Sequence, residues 1–262
     1  MAAKHLSSSD NPVIKRFRRV AAGHRDEAFL LEGRHLLDEA LAASWPLEAI
    51  LIEEGLWEDW RRRLEAWEGE GKVFVVPRKL VQAAGTTASP EGVLALARRR
   101  PASWPALDPG GLYLFLDGVQ DPANVGILLR SARAFGLAGA FAGTGTADPF
   151  HPTALARSAG AVLRAPTMAC STDSFLEWCS SCGVALFAAE PGGPLPDAGA
   201  PVSRPAALAV GNEGRGLSDA VLSGAARRVG IPMAPGWDSL NVAVAGSLLM
   251  AVLSGLLMGE NP

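Results

Sequence analysis

The chain has 262 residues, of which 48% are hydrophobic and 19% are charged. This composition excludes a largely disordered or fibrous protein, and the length suits two domains that each bury a core. The formal net charge of −3 does not by itself indicate a protein that binds nucleic acid. No apolar run of signal-peptide type follows the first basic residue, so we expect a cytoplasmic protein.

Helical and strand-like segments alternate in the first part of the chain, which predicts a small α/β domain over residues 1–100. The predicted elements are a helix over 12–23, a strand over 29–31, a helix over 34–43, a strand over 49–52, a helix over 57–68, and strands over 72–76 and 93–97. The basic side chains of interest are Lys15, Arg16, Arg18, Arg19, Arg25 and Arg34. They could neutralise the phosphates of a structured RNA, or they could form a solvated helix face.

Residues 101–109 contain three prolines and predict a linker to a second domain over residues 110–262. The predicted strands of that domain cover residues 112–116, 184–188 and 206–210. They are apolar throughout, which predicts a mainly parallel sheet covered by helices on both faces. Residues 240–258 are uncharged, but polar residues and glycines interrupt them, which favours a buried or subunit-facing helix over a membrane span.

The three cysteines are too few, and odd in number, for a disulfide framework. Cys179 and Cys182 have the spacing of a redox or zinc-binding pair. A helix predicted to begin at Ser171 or Thr172 and to stop at Gly183 places that pair at its C-terminal end. There the helix dipole disfavours a thiolate, and further zinc ligands are missing nearby, so we predict structural cysteines and no metal site.

Two polar segments each follow a predicted buried strand. The first, residues 117–132, contains Asn124 and Arg130 where a strand ends and a helix begins, which is where open α/β sheets bind ligands. Asn124 could instead be a helix cap, and Arg130 a surface cation. The second, residues 211–218, has glycines in the order Gly-x-x-Gly-x-Gly, which differs from the loops of dinucleotide and nucleoside triphosphate sites.

A third polar segment, residues 231–242, leads into the long apolar helix. Ser239 or Asp238 can cap that helix. Asn241 is a polar amide at its apolar start, and it requires a hydrogen-bonding partner if it is buried.

Together the three segments resemble the SpoU (TrmH-like) RNA methyltransferases of the SPOUT superfamily. The shared motifs are Asp-Pro-x-Asn-x-Gly with a following Arg over 121–130, Gly-Asn-Glu-Gly-x-Gly over 211–216, and Ile-Pro-Met with Ser-Leu-Asn-Val over 231–242, in the family's order. His151-Pro152 and the segment 157–161 are also similar. In the first domain, Glu32-Gly33 and residues 39–41 resemble the substrate-binding domain of the rRNA-acting branch.

The resemblance implies an α/β fold with a deep C-terminal trefoil knot, and a homodimer to which the helix over 240–258 contributes. It implies methyl transfer from S-adenosylmethionine to a ribose 2′-hydroxyl of structured RNA. The first domain makes 23S ribosomal RNA the expected substrate. A tRNA 2′-O-methyltransferase, and a non-catalytic RNA-binding or ribosome assembly factor on the same fold, are the alternatives. No membrane and no metal partner is expected.

The resemblance also assigns site residues. Arg130 is expected at the centre of catalysis, either polarising the hydroxyl while it grips the adjacent phosphate or removing the proton; a guanidinium stays protonated in proteins, which favours the first role. Its expected catalytic partners are Asn124, Glu213, Ser239 and Asn241. The expected cofactor-binding residues are Ala189, Gly211, Asn212, Glu213, Gly214, Arg215, Ile231, Met233, Ser239 and Leu240. Many relatives have Thr at the position of Ala189, and Trp237 and Asp238 receive no role.

Overall fold

The computed structural model describes residues 3–256 except 24–26, 69, 88–89, 102, 197–201 and 237. Arg25 and Trp237 therefore lie outside the described residues. The chain divides into two compact units. The first contains the residues up to 101 together with 150–163, and the second contains residues 102–149 and those from 164 onward.

The described strands are β1 (Lys4–His5), β2 (Ala28–Glu32), β3 (Leu47–Glu53), β4 (Val73–Val76), β5 (Val93–Arg98), β6 (Leu112–Asp117), β7 (Gly139–Ala142), β8 (Thr167–Ala169), β9 (Ala185–Ala189), β10 (Ala206–Gly211) and β11 (Arg227–Val229). The described α-helices are α1 (Pro12–Ala21), α2 (Arg34–Ala42), α3 (Trp57–Trp60), α4 (Glu65–Glu68), α5 (Arg78–Ala84), α6 (Pro122–Ala134), α7 (Pro152–Ser158), α8 (Thr172–Cys182), α9 (Asp219–Gly224) and α10 (Val242–Ser254). The elements up to β5 and α7 belong to the first unit, and the others belong to the second.

The first unit is built on a mixed sheet in the order β1-β4-β3-β5-β2. β5 runs antiparallel to its neighbours β2 and β3, whereas β3, β4 and β1 are parallel. α1 buries Ile14, Phe17 and Val20 in the core of this unit. Asn11 caps α1 by accepting a hydrogen bond from the N–H of Val13 (2.9 Å). The helix therefore begins directly after its polar cap, where the apolar residues start to recur with helical spacing.

The prediction of one continuous helix over 57–68 is wrong. The segment is broken into α3 and α4, with a 3₁₀ turn over Arg61–Leu64 between them. No side chain caps the start of α3. The buried side chains of Trp60 and Leu64 hold the segment on the unit, and this tertiary packing overrides the helical propensity of its charged residues.

Residues 150–163 belong to the first unit, although the division predicted from the sequence placed them in the second domain. The Phe150 ring lies 4.6 Å from the Phe29 ring and 5.7 Å from the Trp45 ring, measured between centroids. The indole N–H of Trp45 donates a hydrogen bond to the Leu163 carbonyl (2.7 Å). Aromatic packing with a satisfied indole therefore holds this segment in the first unit.

Glu32, at the end of β2, fixes the segment that follows α5. Its carboxylate accepts hydrogen bonds from the N–H and hydroxyl groups of both Thr86 and Thr87, over 2.5–3.1 Å. Partial burial raises the pKa of Glu32, but these hydrogen bonds outweigh it and the pKa is lowered. A Cβ at Gly85 would lie 2.6 Å from Glu32 Oε1, so the carboxylate and the segment are in close contact.

The second unit is built on a six-stranded sheet in the order β11-β9-β10-β6-β7-β8, and every neighbouring pair is parallel. β6 and β10 lie in its middle and are buried at every residue. Strands buried on both faces are typical of parallel sheets that helices cover on both sides. The predicted mainly parallel α/β fold is confirmed, whereas the trefoil knot stays a prediction.

The strand order reverses between β6 and β10. From β6 the chain proceeds outward through β7 and β8, and it returns on the other side of β6 as β9, β10 and β11. Ligands of open parallel sheets bind at the carboxyl ends of the strands beside such a reversal. The three polar segments of the sequence follow β6, β10 and β11, so the fold brings them to one edge of the sheet.

α10 packs closely on α6 and β10. A Cβ at Gly246 would lie 2.5 Å from Leu128 Cδ2 and 3.2 Å from Val210 Cγ1, so the helix approaches at a distance that glycine permits. The helix is shorter than the predicted span of 240–258. No helix among the described residues is long and apolar enough to cross a membrane.

Candidate active site

A cavity of about 730 Å³ lies at the edge of the sheet in the second unit. Residues that follow β9, β10 and β11 line it, together with the start of α10. All ten residues that the sequence predicted to bind the cofactor are among its lining residues: Ala189, Gly211, Asn212, Glu213, Gly214, Arg215, Ile231, Met233, Ser239 and Leu240. The structure therefore brings this set together around one cavity.

Backbone segments meet around the cavity at distances that exclude side chains. A Cβ at Gly211 would lie 2.3 Å from the carbonyl carbon of Gly216, and a Cβ at Gly230 would lie 2.4 Å from the carbonyl oxygen of Glu190. Real Cβ atoms do not approach backbone this closely, so both positions require glycine. The loops after β9, β10 and β11 are thereby packed against one another.

Asn212 shapes the loop that follows β10. Its Oδ1 accepts hydrogen bonds from the N–H groups of Gly214 and Arg215, both at 3.0 Å. Its Nδ2 donates to the Gly118 carbonyl (2.8 Å), which lies directly after β6. The Asn212 side chain therefore holds its own loop and joins that loop to the first polar segment.

Three polar side chains join the three polar segments in one hydrogen-bonded chain. Asn124 Nδ2 donates to Glu213 Oε1 at 3.0 Å. Asn124 Oδ1 accepts from Asn241 Nδ2 at 3.1 Å. Of the five residues expected to take part in catalysis, these three are in direct contact.

The residues that cap the N-termini of α6 and α10 differ from the caps that the sequence suggested. Asp121 caps α6, and Asn124 lies inside that helix with only 6% of its surface exposed, so the interpretation of Asn124 as a cap is wrong. Asn241 caps α10 by accepting hydrogen bonds from two N–H groups of the first turn (2.9 and 3.2 Å), so the expected cap at Ser239 or Asp238 is wrong. The Asn241 amide thus accepts from the helix through Oδ1 and donates to Asn124 through Nδ2.

Glu213 is held in its ionised form. Its carboxylate also accepts hydrogen bonds from the N–H groups of Gln120 (3.1 Å) and Asp121 (3.2 Å). Partial burial raises the pKa of Glu213, but the hydrogen bonds from Asn124 and from these backbone groups outweigh it and the pKa is lowered. A carboxylate with a lowered pKa is a weak proton acceptor at neutral pH, so this geometry suits an anchor for the first segment better than a general base.

A family model described as SpoU rRNA Methylase family matches residues 111–251. The chain belongs to the SpoU rRNA methylase family. A second model, described as MRM3-like substrate binding domain, matches residues 11–95. The resemblance found in the sequence motifs is therefore confirmed, and with it the assignment as an RNA methyltransferase.

Two relatives and a solved structure show how far the SpoU likeness extends. The 23S rRNA (guanosine(2553)-2′-O)-methyltransferase RlmP of Bacillus subtilis is 29% identical over 96% of this chain and all of its own length. An uncharacterized tRNA/rRNA methyltransferase of Synechocystis sp. is 31% identical over 94% of this chain and 91% of its own. The AdoMet-bound rRNA methyltransferase of Sinorhizobium meliloti has a TM-score of 0.85 at 28% identity, covering 97% of this chain and 98% of that one.

Arg130 lies on the exposed side of α6 and is not among the residues that line the cavity. Its guanidinium makes no hydrogen bond or ion pair with any residue that the structure describes. Ile127, three residues earlier and therefore on the same side of the helix, is 39% exposed. Ser239 lines the cavity and is exposed. Both side chains are thus accessible to a substrate at this SpoU site.

Sequence reasoning assigned no role to two acidic residues at this edge of the sheet. Asp117 ends β6 and is buried, and its carboxylate accepts hydrogen bonds from the Ser218 N–H (2.7 Å) and the Thr172 hydroxyl (3.4 Å). Glu190 follows β9 directly and lines the cavity. Each is the first acidic residue at the end of an apolar strand, and that position is the signal that could have identified both.

The expected helix around the cysteine pair is confirmed as α8, with Ser171 as its cap and Gly183 in the left-handed conformation at its end (φ 66°). Burial raises the pKa of Cys179 to about 12 and that of Cys170 to about 11. Both thiols are therefore protonated and unreactive at neutral pH. Among the described residues, no group of three His, Cys, Asp or Glu side chains could hold a metal ion.

Gly211→Ala should destabilise the second unit. The new Cβ would meet the backbone of Gly216 at 2.3 Å, where no side chain can move aside. We expect a loss of about 1–3 kcal/mol in the free energy of unfolding, measured by chemical denaturation. Gly214→Ala is the matched control in the same loop, because the nearest atom to its Cβ is 3.7 Å away. Equal stability of the two variants would contradict the close backbone packing.

Proposed function

We propose that this protein transfers a methyl group from S-adenosylmethionine to a ribose 2′-hydroxyl of 23S ribosomal RNA. The observation that carries the proposal is the chain of hydrogen bonds from Glu213 through Asn124 to Asn241, which joins all three SpoU motifs beside a cavity of cofactor size. The name of the Bacillus subtilis relative, which covers nearly the whole chain, supports the choice of RNA and of hydroxyl.

The residues of the cavity fit S-adenosylmethionine. A volume of about 730 Å³ falls in the range of about 300–1,000 Å³ that small-molecule sites occupy. Ile231, Met233 and Leu240 offer apolar contacts for the adenine ring, and Arg215 offers a cation for the carboxylate of the methionine part. When bound, the cofactor supplies an electrophilic methyl group on its sulfonium sulfur.

A ribose hydroxyl is a weak nucleophile, so the protein must align it and favour the loss of its proton. Arg130, which is accessible and stays cationic, grips the adjacent phosphate and stabilises negative charge as it develops on the oxygen. Asn124 and Asn241 orient the reacting groups through amides that are already fixed by hydrogen bonds. Ser239 offers a hydroxyl at the cavity, and the ionised Glu213 keeps Asn124 in place.

The second unit pairs with another copy of itself through α10. Val244 and Leu248 of α10 are 49% and 47% exposed, and their spacing of four residues places them on one side of the helix. Together with Ile127 on the adjacent α6 they make an exposed apolar face of the kind that marks protein interfaces. A homodimer would cover this face, and it would bring the partner close to Arg130.

The basic residues of α1 hold the RNA in the first unit, although they differ in their surroundings. Lys15, Arg18 and Arg19 line a groove of about 620 Å³ together with Gly85 and Thr86, whose segment Glu32 fixes. Three cations around one open groove suit the phosphates of an RNA backbone. The ion pair of Lys15 with Asp10 (2.9 Å) is exposed, so a phosphate can replace the carboxylate.

Arg16 and Arg34, also predicted to contact RNA, do not line this groove. Arg16 pairs with Glu48 at 2.5 Å, and Glu48 is 14% exposed and also pairs with Arg98 (2.9 Å). Arg34 is exposed at the start of α2, where its backbone N–H donates to Glu91. We therefore assign the main phosphate contacts to the groove, and a stabilising role to Arg16.

Arg18→Ala should weaken RNA binding and make it less dependent on salt concentration. Each lost phosphate contact lowers the slope of log K against log salt concentration by about 0.7–0.9. The measurement is a titration of an rRNA fragment at several salt concentrations. Arg16→Ala is the matched control on the same helix, and it should keep the wild-type slope while it unfolds at a lower temperature. An unchanged slope for Arg18→Ala would contradict the groove assignment.

Labelled S-adenosylmethionine and a panel of unmodified transcripts test the proposed function. We expect label in 23S rRNA, because the first unit matches a substrate-binding domain. With this substrate, the reaction would take place in the cytoplasm. Label in tRNA alone would support the tRNA alternative. Binding of the cofactor with no transfer to any RNA would support the non-catalytic alternative.

A further inference from the structure

Glu190 is one of the residues that line the cavity, and the roles assigned so far do not use it. Three of the described lining residues are charged: Glu190, Glu213 and Arg215. The Glu213 carboxylate is taken by hydrogen bonds from Asn124 and from the backbone before α6. Glu190 is therefore the lining carboxylate that can accept hydrogen bonds from a ligand.

The two acids mark two ends of the cavity along the edge of the sheet. Glu213 follows β10 and bonds to the segment after β6, where Asn124 and the proposed methyl transfer lie. Glu190 follows β9 on the far side of β10, and it pairs with Arg228 of β11 (3.0 Å). β9 and β6 are two strand spacings apart, about 10 Å. Glu190 thus lies about two strand spacings from the segment where methyl transfer is proposed.

The chemistry of a carboxylate restricts what it can bind there. An ionised carboxylate only accepts hydrogen bonds, and Arg228 approaches Glu190 at Oε2 (3.0 Å). The adenosyl part offers hydroxyl donors on its ribose, while its adenine ring suits the apolar side chains of Ile231 and Met233. Acidic residues bind ribose hydroxyls in the same way in dinucleotide sites.

We propose that Glu190 recognises the cofactor by accepting hydrogen bonds from its ribose hydroxyls. This inference rests on the proposed function, because it takes the cavity to be the site of S-adenosylmethionine. It makes Glu190 a residue that determines specificity for a ribonucleoside cofactor, and it assigns no part in methyl transfer itself.

The backbone of Glu190 is fixed before any ligand arrives. Its N–H donates to the Val229 carbonyl (2.8 Å), and its own carbonyl accepts from the Gly193 N–H (3.2 Å). Gly230 packs against the same carbonyl at a distance that no Cβ could occupy. The main chain at Glu190 therefore loses little freedom on binding, which favours selective recognition.

The alternative is that Glu190 only holds β11 through Arg228. The Arg228 side chain is 60% exposed, and exposed ion pairs contribute little to stability. Arg228→Ala therefore separates the two roles, because it removes the ion pair and leaves the Glu190 side chain unchanged.

Calorimetric titration with S-adenosylhomocysteine and its 2′-deoxy and 3′-deoxy analogues tests the role without any need for catalysis. The wild-type protein should bind at least one deoxy analogue about tenfold or more weakly than the parent, as expected for a lost hydrogen bond to a charged group. Glu190→Ala should bind the parent more weakly and should lose this discrimination. Arg228→Ala should keep it.

Two results would overturn the role of Glu190 while leaving the proposed function intact. One is full discrimination by Glu190→Ala, and the other is an equal loss of discrimination by Arg228→Ala. Thermal unfolding of each variant, compared with that of the wild type, identifies any variant that fails to fold. Glu190→Gln keeps the shape of the side chain and replaces Glu190→Ala if that variant does not fold. A folded wild-type protein that binds neither S-adenosylmethionine nor S-adenosylhomocysteine would overturn the proposed function and the role of Glu190 together.

Discussion

Arg130→Ala should slow methyl transfer by about a hundredfold to a thousandfold, as expected when a preorganised cation at developing negative charge is removed. The dissociation constant of the cofactor should stay within about twofold of the wild-type value, because Arg130 does not line the cavity. The measurement is single-turnover methyl transfer to 23S rRNA, with calorimetry for cofactor binding.

Two further variants make the test of Arg130 specific. Arg133→Ala is the matched control, because Arg133 is also exposed and lies one turn further along α6. It should transfer methyl groups at nearly the wild-type rate. Arg130→Lys keeps a cation but loses the planar fork, so partial activity would support electrostatic action over proton abstraction. Full activity of Arg130→Ala would contradict the mechanism.

Asn124→Asp should destabilise the protein strongly at about pH 8 and much less at about pH 5. The new carboxylate would face Glu213 Oε1 at the present 3.0 Å, in place of an amide donor. Two carboxylates this close cannot both ionise freely, so the pKa of the pair rises above its unfolded value. We expect a loss of about 2–3 kcal/mol at the higher pH, since a buried donor is also lost. Methyl transfer should fall with it.

The direction of this pH dependence follows from the pKa of Glu213 in the wild type and from the pKa of the carboxylate pair in Asn124→Asp. In the wild type the pKa of Glu213 is lowered, so its contribution to stability is present above the unfolded pKa and is lost as pH falls through the folded pKa. In the variant the raised pKa means that the folded state binds protons more readily than the unfolded state, so stability returns as pH falls. The two stability curves should therefore converge in acid, as measured by denaturation at a series of pH values.

A reciprocal exchange provides the control for Asn124→Asp. In the double variant Asn124→Asp with Glu213→Gln, the new amide at position 213 can donate to the new carboxylate at position 124, so the hydrogen bond is restored with its direction reversed. The double variant should regain part of its stability at about pH 8 relative to Asn124→Asp, because the new amide nitrogen replaces Oε1, which also accepts from the Asp121 N–H. No recovery would show that the contact between these two side chains is not what connects the motifs.

The parallel sheet could be predicted from the sequence because β6 and β10 are apolar at nearly every position. The short outer strands were missed for the same physical reason: β11 has three residues, two of them exposed arginines, and carries no periodic signal. The broken segment over 57–68 has the composition of a helix, and only tertiary packing of Trp60 and Leu64 distinguishes it from one.

The candidate site was predictable as a set of motifs but not as a set of contacts. Asn124 and Asn241 are 117 residues apart, and the partner that the Asn241 amide required is visible only once α6 and α10 are packed together. The sequence likewise treated the basic residues of α1 as one cluster. Arg16 differs from its neighbours because it faces Glu48, a contact that the fold of the first unit creates. Glu190 was overlooked because its position directly after a strand is its one signal in the sequence, and no motif accompanies it.

The most direct test of methylation at the ribose is mass spectrometry of 23S rRNA that has been incubated with the protein and isotopically labelled S-adenosylmethionine. After digestion to nucleosides and fragmentation, the label should remain with the ribose of one nucleoside and be absent from the released base. Label on a base, or a labelled cofactor that the protein binds but never transfers to ribosomal RNA, would contradict 2′-O-methylation as the function of this protein.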